Sequence, residues 1–443
     1  MRPPPARPEP PIALRWLALG LLSAAMAANY YIYDSVNTVA DVLRSGLGFQ
    51  DHEIGWFQTG YSISALLTLF FAGVFIDRFG TRLSLGVFSV LCFAGALLTA
   101  ARGSFAWMVS GRVVLGLGAE SLIVAVTTAL AKWFRGKELG FAFGVNLTIA
   151  RLASVAADNS PRWASFAFYP GGPEGPPSWQ GPLLVAAAAG ALGVVAAFAY
   201  ARAERTAEKR YALGKAGEAD RLEFSELVRF SAPYWCIVGL CATFYSTIFP
   251  FRTFAVKFLM DTRFASLPED GAREAGGTLN GLLPLAAMVA TPLFGLLLDK
   301  LGRRATFMAA GTLLFFPAFP LLATGAGGVW LPFVLLGVAF SLIPAAMWPS
   351  VAYIVEERRL GSAYALMTLL QQIGMAGMNW GLGRLNSGFD AGPKNPAGYA
   401  PGMWLLSGLA LLAAVFALLL LRAARSPSGR GLEMPASRPG AAG

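Results

Sequence analysis

Long apolar runs, each about the 20 residues a helix needs to cross a bilayer, alternate with short polar connections along this chain. Twelve can be marked, at approximately 13–33, 56–76, 83–101, 105–131, 139–158, 181–201, 231–251, 277–298, 305–324, 328–355, 361–383 and 401–421. None has the period-two alternation of a barrel strand, and unpaired backbone groups cannot face lipid, so the pattern predicts twelve transmembrane α-helices. The first run also resembles a signal-peptide core, LALGLLSAAMAA ahead of Asn29. It is read as a helix because an arrangement of six plus six requires it.

Composition agrees with an all-α membrane protein. The 443 residues are 56% hydrophobic and only 14% charged, with mean hydropathy +0.55, whereas soluble domains are about a quarter charged. The net charge of +10 does not indicate a nucleic-acid partner, because the basic residues fall in short loops and not on one polar face. They mark topology instead. With the N-terminus cytoplasmic, 24 of the 35 Lys and Arg fall on the cytoplasmic side, in the tails and around Arg78/Arg82, Lys132–Lys137, Arg202–Arg229, Lys300–Arg304 and Arg358/Arg359, and nine on the other. That bias places both termini in the cytoplasm. The outer segments 41–53 and 261–274 lean acidic. Cys92, Cys236 and Cys241 lie within apolar runs without metal or disulfide spacing and read as small core residues.

Residues 202–230 interrupt the pattern with 7 basic and 6 acidic side chains. This linker divides the chain into a bundle over 13–201 and a second over 231–421, flanked by tails, 1–12 and 422–443, too poor in apolar residues to pack. The halves repeat. Gly73-x-x-x-Asp77-Arg78-x-Gly80-x-Arg82 returns as Gly295-x-x-x-Asp299-Lys300-x-Gly302-Arg303-Arg304, offset by 222 residues. Such a duplication predicts two pseudo-symmetric six-helix bundles related by an axis along the membrane normal.

Two charges stand out inside neighbouring apolar runs. Glu120 and Arg151 each lie roughly 18–21 Å along a helix from the same basic loop, near mid-membrane. An ionisable side chain at that depth usually faces a partner or a water-filled cavity. A zwitterionic peptide offers an ammonium and a carboxylate, so Glu120 can take the amine and Arg151 the carboxylate, which its planar fork accepts bidentately. Alternatively the two form a salt bridge that staples helices four and five. Both roles are compatible, the pair closing when the site is empty.

The repeated loop resembles the signature of the major facilitator superfamily, with Thr81 standing where that family usually has a basic residue. The resemblance implies a helix-end latch: Asp77 with Arg78 and Arg82 in one half, Asp299 with Lys300, Arg303 and Arg304 in the other, each able to break as the halves rock. Arg112-x-x-x-Gly116-x-Gly118 is similar to the superfamily's fourth-helix motif, whose Arg is often linked with proton coupling. More specifically, Tyr33-Asp34, GRVVLGLGAESL at 111–122, WFRGKELGFAFG at 133–144, Ala150-Arg151, FSAPYWC at 230–236, GLLLDKLGRR at 295–304 and WPSVAYIVEERRLGSAYALM at 348–367 together resemble the family of major facilitator superfamily domain-containing protein one. Animal members of that family carry dipeptides out of the lysosome. The resemblance implies facilitated movement of small peptides as a uniport, with Glu120 and Arg151 matching the family's mid-membrane acidic and basic pair.

Further candidates lie mostly in the second half. Tyr245 and Phe249, one turn apart before a helix-kinking Pro250, either line a cavity or pack between helices. Gln371 and Gln372, at about the depth of Glu120, and Asn379 two turns on, either face water or glue helices together. Trp348, followed by Pro349, is a gate or a member of an interfacial tryptophan belt. Asp34 falls near the outer mouth, as a gate or as a solvated residue. The single histidine, His52 in an outer loop, allows neither a His-containing triad nor a His-rich zinc site at mid-membrane, and no G-x-x-x-x-G-K-[ST] phosphate loop is present. The expectation is a gradient-driven, monomeric carrier in the plasma (inner) membrane, with no cofactor and no enzyme activity. Three functions compete: a peptide facilitator, a proton-coupled carrier of organic anions or drugs, and a non-transporting substrate sensor. A lysosomal membrane is the alternative location.

Overall fold

The computed structural model describes residues 8–69, 71–134, 138–172, 175–213, 230–356, 359–426 and 432–434. Most of both tails and the centre of the 202–230 linker lie outside the described residues, as do Arg135, Lys137 and Arg358 of the basic loops.

Among the described residues the chain forms fifteen α-helices and no strand. The first nine are α1 (Ile12–Asp34), α2 (Ala40–Leu47), α3 (Asp51–Leu69), α4 (Ala72–Ala101), α5 (Phe105–Phe134), α6 (Leu139–Asp158), the single turns α7 (Ser160–Trp163) and α8 (Ser165–Phe168), and α9 (Gln180–Arg210). They are followed by α10 (Ala232–Thr262), α11 (Glu269–Leu301), α12 (Arg304–Thr324), α13 (Trp330–Ile354), α14 (Leu360–Gly388) and α15 (Ala400–Ala423). Ten helices carry a window apolar enough to cross a bilayer. Two more, α3 and α14, are diluted by residues such as Asp51, Glu53, Gln371, Gln372 and Asn379, and complete the twelve. Helix α4 holds the end of the second span and all of the third, separated at Gly80, whose φ of 75° and ψ of 167° suit a residue without Cβ.

Two helices run past the ends of their apolar runs. Helix α9 reaches Arg210 because Tyr200, Glu204 and Ala207 continue its buried stripe at helical spacing. Helix α10 stays helical across Pro250 as far as Thr262, and buries Arg252 and Lys257 at 1% exposure each. A buried cation is tolerated where it is paired. For Lys257 the partners are acidic groups described below.

The chain divides into two compact units: Met1–Gly48 with Gly60–Arg221, and Phe49–Thr59 with Leu222–Gly443. Helix α3 thus gives its first turns to the second unit and the rest to the first. In the first unit the core mixes large side chains such as Trp133, Phe134 and Tyr200 with many alanines on α1, α4, α5 and α9, including Ala18, Ala96, Ala119, Ala125 and Ala187. Small residues let helix backbones approach where lipid offers no hydrophobic drive to association. In the second unit α10 packs through aromatic rings: Phe244 and Phe251 meet Phe315, Phe319 and Phe333 at centroid separations of 4.9–5.8 Å.

Candidate functional site

Glu120 lies near the midpoint of α5 and is half-buried. One turn earlier, Gly116 brings α3 against α5: a Cβ there would lie 2.3 Å from the Tyr61 carbonyl oxygen and 2.1 Å from Ser64 Oγ. That approach lets the Tyr61 hydroxyl donate to Glu120 Oε1 at 3.1 Å. Arg151, half-buried on α6, holds its guanidinium carbon 5.7 Å from the Tyr30 ring centroid on α1. Of the two charges singled out by the sequence, Arg151 thus lies against Tyr30 and Glu120 is bonded by Tyr61, both in the first unit.

A buried arginine supports this group. Arg112 on α5 is 1% exposed and donates to the carbonyls of Ile32 and Tyr33 at 3.2 Å each. Its guanidinium also faces the rings of Tyr33 and Tyr61, 5.7 and 5.8 Å from their centroids, which meet edge-on at 4.8 Å. Arg112 thus fixes the end of α1, Tyr33, and the Tyr61 that bonds Glu120. Asp34, at the last turn of α1, is 2% exposed and accepts from Asn37 Nδ2 at 3.3 Å, which rules out the solvated reading.

The repeated loops are built differently in the two halves. In the first, Arg82 pairs with Glu208 at 3.1 Å, and Lys132 reaches Glu204 at 2.6 Å and Glu208 at 2.7 Å. Thr81, the departure from the signature, donates to the same fully buried Glu204 at 2.7 Å. A basic residue at that position would add a second cation beside Lys132. Arg78 lies against the Phe79 ring, and Asp77 is exposed. In the second half Arg304 pairs with Asp299 at 3.5 Å, donates to the Tyr353 hydroxyl at 2.9 Å, and stacks on that ring at 3.9 Å. Arg303 takes a left-handed backbone with φ 52°, and Arg303 and Lys300 are exposed.

The second-unit candidates separate into two groups. Tyr245 stacks on Phe249 at 5.7 Å and accepts from Trp348 Nε1 at 3.0 Å, and Trp348 stacks on Tyr364 at 6.0 Å. Trp348 is thus tied into a continuous aromatic cluster. Gln371 is half-buried; its Oε1 accepts from Cys241 Sγ at 3.7 Å. Gln372 is 2% exposed. Asn379 is fully buried, accepts from Thr253 Oγ1 at 3.1 Å and donates to the Met375 carbonyl at 2.9 Å. It joins helices and does not face water.

One charged cluster has no counterpart in the sequence reading. Lys257 Nζ lies 3.0 Å from Asp51 Oδ1 and 3.6 Å from Asp261 Oδ2, and donates to the Tyr399 hydroxyl at 2.6 Å. Tyr399 in turn donates to Asp261, and Asn386 to Asp51 at 3.0 Å. Asp51 and Lys257 stand 206 residues apart, so no local signal links them.

A model of the major facilitator superfamily matches residues 19–379 of the chain. Among curated proteins, the lysosomal dipeptide transporter MFSD1 of Danio rerio is 31% identical over 367 residues, 81% of this chain and 77% of the relative. The human protein of that name is 30% identical over 375 residues, 82% and 78% of the two chains. A galacturonate transporter of Dickeya chrysanthemi is more distant, at 23% over 295 residues, 61% of this chain and 82% of that one. Among solved structures, the nucleoside transporter NupG superposes with TM-score 0.71 at 12% identity, covering 91% of this chain and 99% of that one. A bacterial homologue of the human lysosomal transporter Spinster gives 0.69 at 16% identity, covering 96% and 100%. At those identities the structural likenesses carry the fold alone. The family match over most of the chain, with the relatives above, shows that this protein is a multi-pass membrane transporter of the major facilitator superfamily, close to the MFSD1 dipeptide transporters.

Proposed function

We propose that the protein carries dipeptides across the membrane as a uniporter working by alternating access, with Glu120 holding the peptide ammonium and Arg151 its carboxylate. The supporting observations are Arg151 against the Tyr30 ring, Tyr61 bonded to Glu120, and Arg112 bracing the Tyr33–Tyr61 pair. A pocket that reads only the two termini leaves peptide side chains loosely selected. Tyr245, Phe249, Gln371 and Gln372 are the counterpart candidates in the second unit, with Asp34 and Trp348 as gates and the two loop clusters as latches. The names of the 30–31% identical relatives favour dipeptides over other cargo.

The basic bias of the loops puts both termini in the cytoplasm. A plasma (inner) membrane is the proposed location, the lysosomal membrane named for the relatives being the alternative, and the working unit is a monomer. Counterflow of a labelled dipeptide into proteoliposomes, with and without a pH gradient, is the test. Exchange that ignores the gradient supports uniport. Exchange that needs it makes the protein a proton-coupled carrier, and binding without exchange makes it a sensor.

A further inference from the structure

Helices α4 and α9 lie antiparallel in the first unit: Thr81 meets Glu204, a Cβ on Gly86 would touch Phe198 at 3.7 Å, and one on Gly190 would lie 3.2 Å from Phe93 Cα. Between them runs an open groove of about 770 Å³, within the range of small-molecule sites. Its chemistry is segregated along the helix axes. Leu83, Val87, Val90, Leu91 and Phe198 form apolar walls, whereas Arg82, Arg202 and Arg205 gather at one end. Leu83, Val90 and Phe198 are 42–53% exposed, as expected of a surface that meets hydrocarbon.

The three guanidiniums thus lie at a single level of the groove. Arg82 shares Glu208 with Lys132. Arg202 and Arg205 are exposed and have no acidic partner among the described residues. We propose that the groove binds an anionic phospholipid, with its phosphate among the three arginines and the start of its acyl chains on the apolar walls. Guanidinium forks suit phosphate oxygens, and basic pockets between membrane helices hold anionic headgroups. Charge complementarity selects the headgroup. Gly86 on the floor, without a side chain, leaves the depth for a chain.

The test titrates short-chain phosphatidylglycerol against the purified full chain and reads thermal stabilisation. Phosphatidylcholine of the same chain length and free glycerol phosphate form the comparison arms. Phosphatidylglycerol is expected to saturate, and the comparison compounds to fall at least tenfold short. Arg202→Ala with Arg205→Ala, on exposed positions that leave the fold intact, raises the half-saturating concentration about 25-fold, from about fivefold per basic residue near an anionic surface. Arg202→Lys with Arg205→Lys retains the preference for the anionic headgroup, and Gly86→Leu weakens binding with every charge in place. Equal saturation by phosphatidylcholine, an unchanged response in the double alanine variant, or equal efficacy of glycerol phosphate overturns the proposal.

Discussion

Replacing Glu120 with Gln removes a charge from the first-unit site while barely touching its shape. The amide keeps an oxygen where Tyr61 donates at 3.1 Å, so the α3–α5 contact at Gly116 is retained. What is lost is the attraction for a peptide ammonium. Glu120 is half-buried, so neither the water nor the dry-interior limit applies. Truncating one partner of a buried charge pair costs about 2–5 kcal/mol, and partial exposure confines this case to about 2–4 kcal/mol, roughly a 30- to 700-fold loss of affinity. Calorimetric titration of a dipeptide into purified wild type and variant measures the loss, with ligand-free melting temperatures as the control for folding. A Gln variant that melts as the wild type does and binds within about threefold of it would show that Glu120 does not hold the amine.

Other perturbations test the geometry piece by piece. Arg151→Lys keeps the charge but not the fork, and should weaken dipeptide binding about tenfold in the same titration. Gly116→Ala places a Cβ 2.3 Å from the Tyr61 carbonyl oxygen, which backbone cannot yield cheaply; a loss of about 1–3 kcal/mol should lower the melting temperature and weaken peptide binding with it. Lys257→Met leaves Asp51 and Asp261 without the cation that both face at 3.6 Å or less, at a cost of about 3–5 kcal/mol. Adding Asp51→Asn to that variant should recover part of the loss in thermal unfolding.

Much of the architecture was legible because a bilayer permits few solutions. The run assigned to 139–158 coincides with α6, and Gly80 and Gly302 both break helical geometry with positive φ. Glu120 and Arg151 were legible because a charge inside an apolar run is rare. Their surroundings were not, since a tyrosine in an apolar run carries no mark of direction: Tyr30 and Tyr61 gain their roles from helix packing. Glu204 and Glu208 were hidden in a stretch read as a linker, although their spacing by one turn beside Tyr200 and Ala207 was a helical signal. Lys257 fell beyond the expected end of its span because a charge stops a hydropathy count, and its partner Asp51 was read as an outer-loop acid. For Asn379 the sequence left facing water and bonding helices open, since composition cannot tell which side of a helix a polar group faces; here it is buried and accepts from Thr253 on α10.

Counterflow with end-blocked peptides tests the central claim most directly. Proteoliposomes loaded with a free dipeptide should exchange it for the same labelled dipeptide, but not for its N-acetyl or C-amide form, because each block removes one of the charges assigned to Glu120 and Arg151. In Glu120→Gln the advantage of the free over the N-acetyl form should collapse, while discrimination against the amide persists. Exchange of either blocked peptide by the wild type at the rate of the free one would contradict the account.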